Sequence, residues 1–259
     1  MTVQIPYPLV RDTKHRDVVL FAGAGMSLPA LRVSALSVRD ALGAEVKKAN
    51  PDYVIESRSV EETCDDYAVV FGRRELVDEL ARLIPQNLPP LPSHDAAARL
   101  FRYIITTNWD LLFEKAIDKI SPHKNVIATE LNAGAVGMDQ HNLIKIHGTV
   151  DQPLTLVSTT EDYETYALNY PQLLKCVADL LWNHTVLFVG YSLRDEHVRH
   201  LLARIREQRG QWTRRAYAVV GSQFSDSVRV KVLDKRGIEL LPYDADDFLP
   251  ALEVEANKP

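Results

Sequence analysis

The sequence has very few cysteines, and this excludes two common kinds of construction. It contains two, Cys64 and Cys176, which lie far apart and form no Cys-x-x-Cys pair. A zinc knuckle and a disulfide framework are therefore not expected. This cysteine usage is typical of a protein that works in a reducing cytoplasm.

Long apolar runs and an excess of positive charge are missing as well. No run approaches the roughly 18 residues that a membrane span needs. Residues 1–16 carry Pro6, Pro8 and scattered charges instead of the apolar core of a signal peptide. The formal net charge of −5 argues against general nucleic-acid binding. We therefore expect no membrane association, no secretion and no direct contact with nucleic acid.

What the chain does have is enough apolar material for a sizeable core. Apolar residues make up 46% of its 259 residues, an ordinary share for a globular protein. The length suits a single α/β domain that carries an insert. We therefore predict one domain over residues 1–259.

Short apolar runs along the chain are typical of buried parallel strands. They are bounded by glycine or polar residues, and the first four lack the alternation of a half-exposed strand. The predicted strands are Val18–Ala22, Tyr103–Thr106, Leu143–Ile146, Val186–Val189, Ala216–Val220 and Ile238–Leu241.

Segments with helical spacing separate these runs. Helical spacing follows the second run, covers residues 170–182 before the fourth, and resumes after the capping residue Asp195. Residues 126–140 are interpreted as a strand and a loop that passes over the site. Strands that alternate with helices predict a Rossmann-like, doubly wound parallel sheet covered on both faces.

Residues 32–100 interrupt this alternation after the first strand. They contain two predicted helices, over 61–71 and 73–83, and then a proline-rich link. We interpret the segment as a small helical insert or cap. The predicted core is then formed by residues 14–31 and 101–245.

The first predicted strand ends at two glycines spaced one residue apart. These are Gly23 and Gly25, and the hydroxyl residue Ser27 follows them. In Rossmann-type sheets such glycines let the backbone approach a pyrophosphate, and the amides at the next helix start point at its charge. The third glycine of the dinucleotide fingerprint would fall at Leu28, so the match is incomplete. A plain strand-to-helix turn is the alternative explanation.

Three further strand ends carry polar groups. They are Thr107–Asp110, His147–Gly148 and Gly190–Ser192. Ligands collect beyond the carboxyl ends of parallel strands, so these ends and the first glycine loop should meet at one edge of the sheet. Four such ends together predict a ligand site.

Each of these groups also has a simpler explanation. Asn108 or Asp110 would serve equally well as the cap of the helix that follows. A lone histidine such as His147 is more often a hydrogen-bonded residue at a strand terminus. Gly190 and Ser192 are common turn residues.

The four motifs taken together resemble those of the sirtuin-like superfamily. They are Gly23–Ser27, Thr106–Asp110, Lys145–Gly148 and Gly190–Asp195, in the same order and covering about residues 18–202. The closer resemblance is to the bacterial NAD-consuming branch found in antiphage defence systems. Deacetylases instead have Gln-Asn-Ile-Asp at the second motif and Gly-Thr-Ser at the fourth.

Two departures from the deacetylases bear on the expected reaction. The four zinc cysteines that follow the catalytic histidine in deacetylases are absent, and Leu28–Arg32 replaces the expected acidic-Phe-Arg element. Without the zinc module, the acyl-lysine channel loses one wall. The resemblance therefore implies a site that holds NAD as substrate, uses no metal and favours water as the acceptor.

Asn108 and His147 are the predicted catalytic residues. Breaking the nicotinamide–ribose bond gives the sugar oxocarbenium character. A neutral amide can hold the ribose and a water, and a histidine can accept a proton near neutral pH. The resemblance assigns nucleotide contacts to a further set: Gly23, Ala24, Gly25, Ser27, Thr107, Asp110, Gly190 and Ser192.

In this assignment each strand end contacts a different part of NAD. The first glycine loop and Ser27 would hold the pyrophosphate, and Asp110 would face the nicotinamide carboxamide. Gly190 and Ser192 would contact the adenosine half.

The leading hypothesis is an NAD+ hydrolase that releases nicotinamide and ADP-ribose. It would be the effector of a bacterial antiphage defence system, kept inactive until triggered, because an unrestrained hydrolase would drain the host's NAD. The resemblance implies a homo-oligomer and a sensor such as a HerA-type ATPase or an Argonaute protein, expected here on a separate polypeptide. Two alternatives stay open: a non-catalytic module that senses NAD or ADP-ribose, and an NAD-dependent protein deacylase.

Overall fold

The computed structural model describes residues 3–121, 123–137, 140–191, 202–203, 207, 214, 216–224 and 226–259. Its centre is a seven-stranded sheet in which every neighbouring pair of strands is parallel. The strands are β1 (Val18–Ala22), β2 (Tyr103–Thr106), β3 (Lys124–Ile127), β4 (His141–Lys145), β5 (Thr185–Val189), β6 (Ala216–Val219) and β7 (Ile238–Leu241). Their spatial order is β3-β4-β2-β1-β5-β6-β7. The predicted doubly wound α/β sheet is confirmed.

Helices flank this sheet and also form the segment inserted after β1. The described α-helices are α1 (Tyr7–Lys14), α2 (Ala24–Leu31), α3 (Ala35–Ala49), α4 (Val60–Phe71), α5 (Arg73–Leu83), α6 (Pro92–Leu100), α7 (Leu112–Asp118), α8 (Thr160–Asn169), α9 (Pro171–Asn183), α10 (Ser227–Asp234) and α11 (Ala245–Ala256). Short 3-10 helices cover Ile55–Ser57, Glu130–Ala135 and Pro153–Thr155. Of the residues that the structure describes, none belongs to a helix long and apolar enough to cross a membrane.

The central strand β1 supplies side chains to two cores, one on each face of the sheet. Val19 and Phe21 pack in a cluster with residues of α9, whereas Leu20 packs in a second cluster with residues of α6 and α11. All five residues of β1 are buried. Burial on both faces explains why this strand is an unbroken apolar run without alternation.

The segment 32–100 contains both a cap and one helix of the α/β layers. Helices α3, α4 and α5 enclose a third apolar cluster that includes Leu42, Cys64 and Leu80; we call these three helices the cap. Helix α6 packs elsewhere, since its alanines join the sheet cluster that also contains α11. The proline-rich link therefore ends where α6 begins, at Pro92.

Several boundaries differ from the sequence-based expectation. Strand β4 covers His141–Lys145. It begins two residues before the start of the predicted run and ends one residue before the end of that run. Strand β3 begins at Lys124, ahead of the predicted strand, and Glu130–Ala135 forms a 3-10 helix in the predicted loop. The helix predicted after Asp195 falls largely outside the described residues.

Candidate active site

A cavity of about 1580 Å³ lies at the carboxyl ends of the central strands. Its described lining includes seven of the residues singled out from the sequence: Ala24, Gly25, Thr107, Asn108, Asp110, His147 and Gly190. Cap residues such as Val38 and Val60 contribute to the lining, and so do Gly221 and Asp244 from the loops after β6 and β7. The structure therefore brings all four predicted strand ends to one space. Ser192 lies outside the described residues.

The first glycine loop is packed directly against the loop after β5. The amide of Gly25 donates to the carbonyl of Gly190 at 2.9 Å. A Cβ on Gly23 would lie 2.7 Å from that carbonyl oxygen, and a Cβ on Gly190 would lie 2.2 Å from the nitrogen of Met26. Gly190 also has a φ of +60°. These glycines are therefore required by contact between two loops, whatever ligand the cavity holds.

The residues of the first loop divide between the cavity and the interior. Ala24 and Gly25, at the start of α2, are exposed, whereas Gly23 and Ser27 are buried. Ser27 is fully buried, and its hydroxyl contacts Asn108 and His94. The Ser27 hydroxyl therefore faces the interior in this structure, and its expected contact with a pyrophosphate stays a prediction.

The side-chain amide of Asn108 is held in one orientation. Its Nδ2 donates to the carbonyl of Gly23 at 3.1 Å and to Oγ of Ser27 at 3.0 Å. A carbonyl oxygen can only accept, so the nitrogen must face Gly23 and the oxygen must face away from it. The Oδ1 atom is buried and has no hydrogen-bond partner among the described residues. A buried acceptor without a partner calls for an explanation, such as a bound water or a catalytic role.

Asp110 performs the simpler role that its sequence position allowed. Its Oδ1 accepts from the amide of Leu112 at 3.0 Å, at the start of α7. Asn108, by contrast, is not the cap of this helix, because its side-chain amide donates to Gly23, which follows β1, and to Ser27 of α2. Asp110 still lines the cavity, so the capping role and a ligand role are compatible.

His147 lies two residues after β4, against two tyrosines of α8. Its Nδ1 is 3.4 Å from the hydroxyl of Tyr163, and the two rings meet edge to face. Tyr166 lies on the same side and donates to the carbonyl of Ile146. His147 is 7% exposed and lines the cavity.

Gly148 fixes the turn that follows His147. It has a φ of +80°, and a Cβ there would lie 2.1 Å from the carbonyl oxygen of Thr155. No other residue fits both the conformation and the space.

A buried lysine ties the Asn108 loop to the His147 loop. Lys145 is 1% exposed, and its Nζ donates to the carbonyl of Asp110, to Oε1 of Glu114 at 2.7 Å and to Oγ1 of Thr149 at 3.0 Å. Burial raises the pKa of Glu114, and the ammonium of Lys145 opposes that rise. The third sequence motif includes Lys145, but its hydrogen bonds to Asp110 and Glu114 form only because β2 and β4 are neighbouring strands.

Two residues at the site were not identified from the sequence. Tyr163 contacts His147, and His94 of α6 contacts Ser27 at 3.3 Å through its Nε2. His94 follows Pro92, the first residue of α6, which the composition had indicated as part of a link. A proline at the first position of a helix was the available signal.

Neither cysteine is placed as a nucleophile or as part of a metal centre. Cys64 is buried in the cap, where burial raises the pKa of its thiol to about 12. Within the described part of the chain, no group of three or more His, Cys, Asp or Glu side chains is arranged to hold a metal ion.

Comparison with known proteins gives the relationship of this chain. Residues 102–241 match the family model of the SIR2-like domain. The chain is 29% identical over 221 residues to the NAD(+) hydrolase ThsA of Acinetobacter baumannii, covering 82% of this chain and 44% of that protein. The ThsA of Bacillus cereus is 27% identical over 218 residues, with 81% and 44% covered.

A third relative matches the chain over a shorter segment. Defense-associated sirtuin 2 of Bacillus subtilis is 29% identical over 123 residues, which cover 46% of this chain and 12% of that protein. The chain thus spans less than half the length of these curated relatives. Since the family model covers more than half of the chain, the protein belongs to the SIR2-like domain family, in the bacterial branch that includes defence-associated sirtuins.

Proposed function

We propose that this protein is an NAD+ hydrolase that cleaves the nicotinamide–ribose bond and releases nicotinamide and ADP-ribose. The observation that carries the proposal is a single cavity lined by a side-chain amide, an imidazole and an exposed glycine loop. These belong to Asn108, His147 and Gly25. The names of the ThsA relatives support the same activity.

The first glycine loop would hold the pyrophosphate of NAD+. Ala24 and Gly25 are exposed at the first turn of α2. The first amides of a helix have no partner within the helix and carry partial positive charge, which favours a bound phosphate. Because Ser27 is buried, the backbone and not its hydroxyl would make this contact.

Asn108 and His147 would act on the nicotinamide ribose and the attacking water. Oδ1 of Asn108 has no partner among the described residues and would accept from a ribose hydroxyl or from water, and its fixed orientation would lower the entropic cost of positioning either one. The C–N bond breaks with its electron pair going to nicotinamide, which leaves neutral. Water oxygen bonds to the anomeric carbon, and His147 accepts the proton before passing it to solvent.

The direct test is incubation of the purified chain with NAD+ and chromatography of the products. Wild-type protein, or its active assembly, should release nicotinamide and ADP-ribose in equal amounts. Asn108→Ala and His147→Ala should each reduce the rate by about a thousandfold or more. Asn169→Ala and His123→Ala are matched controls, since both side chains are exposed, and both should retain wild-type rates.

The alternative functions predict different products. Binding of NAD+ in calorimetry without nicotinamide release, even with partners present, would support a sensor module and contradict the hydrolase. Nicotinamide release that requires an acyl-lysine peptide would support a deacylase. Normal turnover in both site variants would remove the catalytic assignments.

We also propose that this activity is restrained in the cytoplasm until an antiphage trigger arrives. A homo-oligomer, or a separate sensor such as a HerA-type ATPase or an Argonaute protein, would supply the restraint. One sirtuin-like domain over residues 1–259, with its core in residues 14–31 and 101–245, would be the catalytic unit. The defence-associated names of the relatives support this context.

A further inference from the structure

Three polar side chains from three different elements form a buried chain behind the cavity. Nδ2 of Asn108, after β2, donates to Oγ of Ser27 in α2 at 3.0 Å. Oγ of Ser27 lies 3.3 Å from Nε2 of His94 in α6. Ser27 and His94 are both fully buried, and Asn108 is 6% exposed.

Two placements of hydrogen fit the contact between Ser27 and His94. Asn108 donates to Oγ of Ser27, and this oxygen can accept a second hydrogen bond or donate its own hydrogen. Nε2 of His94 therefore either accepts from the Ser27 hydroxyl or donates to its oxygen. Nδ1 of His94 is buried and has no partner among the described residues, so the bond to Ser27 is the described hydrogen bond of this ring.

The surroundings of His94 keep its ring neutral and in place. Burial lowers the pKa of His94 to about 4, although the nearby carboxylates of Asp110 and Asp246 oppose the shift. The ring packs against Phe113, with centroids 4.8 Å apart. The ring is therefore neutral throughout the neutral pH range, and Nε2 keeps its contact with Ser27.

The far end of the chain is the part that faces the cavity. If Asn108 were held only by Gly23, its amide could swing about that one bond. Ser27 supplies a second acceptor for the same nitrogen. Two acceptors in fixed positions determine the plane of the amide, and with it the direction in which Oδ1 points.

We propose that Ser27 and His94 are positioning residues that act through Asn108, holding its side-chain oxygen toward the nicotinamide ribose. This inference rests on the proposed NAD+ hydrolase activity for its kinetic consequences. Its structural content, a fixed Asn108 amide, is measurable without turnover.

The kinetic arm compares Ser27→Ala and His94→Phe with wild type. Ser27→Ala deletes the middle of the chain, and His94→Phe keeps a flat ring beside Phe113 but removes the nitrogen that contacts Ser27. Rates are divided by the concentration of sites that bind ADP-ribose in calorimetry, so that misfolded protein does not count. We expect kcat to fall about tenfold in each variant with KM for NAD+ within about twofold, the effect of one lost neutral hydrogen bond.

Two further variants separate positioning from packing. His94→Gln, whose side-chain oxygen can accept from Ser27, should recover part of the rate lost in His94→Phe. Ser93→Ala is the matched control, because Ser93 is equally buried in the same helix and its Oγ has no partner among the described residues. It should leave kcat and KM unchanged.

The spectroscopic arm observes the Asn108 amide directly by 15N NMR. Its pair of side-chain NH signals is assigned by their loss in Asn108→Ala. We expect slow exchange with water in wild type and Ser93→Ala, and shifted, faster-exchanging signals in Ser27→Ala and His94→Phe. The His94 ring should be neutral, with one protonated nitrogen.

The outcomes distinguish this inference from the proposed function. Unchanged Asn108 signals in Ser27→Ala and His94→Phe would overturn the positioning role, even if NAD+ is hydrolysed. Altered Asn108 signals with no NAD+ turnover by wild type would uphold the fixed amide and contradict the hydrolase. A kcat loss of equal size in Ser93→Ala would reduce the effect to packing and overturn the inference.

Discussion

The two candidate catalytic side chains are held by different parts of the molecule. The side chain of Asn108 is hydrogen-bonded to Gly23, which follows β1, and to Ser27 in α2. His147 lies against Tyr163 of α8, and α8 is attached to the cap. Its first amide, at Thr160, donates to Asp65 of α4 at 3.2 Å.

Arginine contacts strengthen the link between the cap and the His147 side. Arg73 of α5 pairs with Asp162 of α8 at 2.8 Å and donates to the carbonyl of Leu156 and to Ser158. The segment that follows His147 is thus bonded to the cap at several positions between Leu156 and Asp162. The comparison indicates that the amide is positioned by the loop after β1 and by α2, whereas the imidazole lies against α8, which is bonded to the cap.

The largest expected effect comes from reversing the chemistry of the Asn108 amide. Asn108→Asp replaces the Nδ2 donor by a carboxylate oxygen facing the Gly23 carbonyl, with no proton to donate. We expect about a thousandfold loss of nicotinamide release and roughly 3 kcal/mol lower stability in urea, since a buried charge loses its solvation. Asn169→Asp, at an exposed site, should change neither, and similar losses there would contradict the reasoning.

Glycine substitutions test whether the loop on the Asn108 side and the loop on the His147 side contribute equally to the free energy of unfolding. Gly190→Ala, on the Asn108 side, and Gly148→Ala, on the His147 side, would each combine a positive φ with a backbone clash. We expect each to lower the free energy of unfolding by about 3 kcal/mol or more. Gly237→Ala is the control, because its φ is +72° but nothing lies within 4 Å of the added Cβ; its cost should be about 1 kcal/mol.

Acid should weaken the Asn108 side through His94. The folded-state pKa of about 4 lies below the ordinary value of 6.5, so between these values the unfolded chain binds more protons. Stability is therefore present above pH 6.5 and is lost as the pH falls toward 4, by a few kcal/mol at most. Urea titrations at several pH values should show a smaller acid-induced loss in His94→Phe than in wild type; parallel curves would assign the loss to other groups.

The smallest effect is expected where the cap meets the His147 side. Arg73→Ala removes the contacts to Asp162, Leu156 and Ser158, at a cost of about 1 kcal/mol because the arginine is part-exposed. Turnover should fall a fewfold, while the NMR signals of the Asn108 amide stay unchanged. Arg74→Ala is the matched control, since Arg74 is 86% exposed in its side chain. Equal effects in both variants would show that the contacts of Arg73 with the segment after His147 do not influence turnover.

The sequence was sufficient for the strands and the polar groups that follow them. Strand β1 and strand β2 have the predicted bounds, because an apolar run ended by glycine or a polar residue leaves little freedom. Helices α3 and α6 were missed for a local reason. Pro92 begins α6, and prolines near it favoured a link, while α3 lies in a segment with weak apolar periodicity.

The roles of single atoms at the site were beyond local patterns. The sequence assigned Ser27 to a phosphate, yet its hydroxyl faces Asn108 and His94. His94 stands fourteen residues before Asn108 in the chain, counted from the printed positions, and no spacing rule joins them. They meet because α6 packs under the sheet beside β1 and β2.

The sequence by itself determined an α/β sheet, four polar strand ends and their gathering at one edge, since those follow from apolar runs and short-range chain geometry. Only the tertiary structure decided which atom of the Asn108 amide faces Gly23, which hydroxyl turns inward and which histidine lies against α8. Those choices depend on the strand order β2-β1-β5 and on helices packed from distant positions. Hydrogen-bond direction at a buried atom is set by its neighbours in space, which the linear chain does not encode locally.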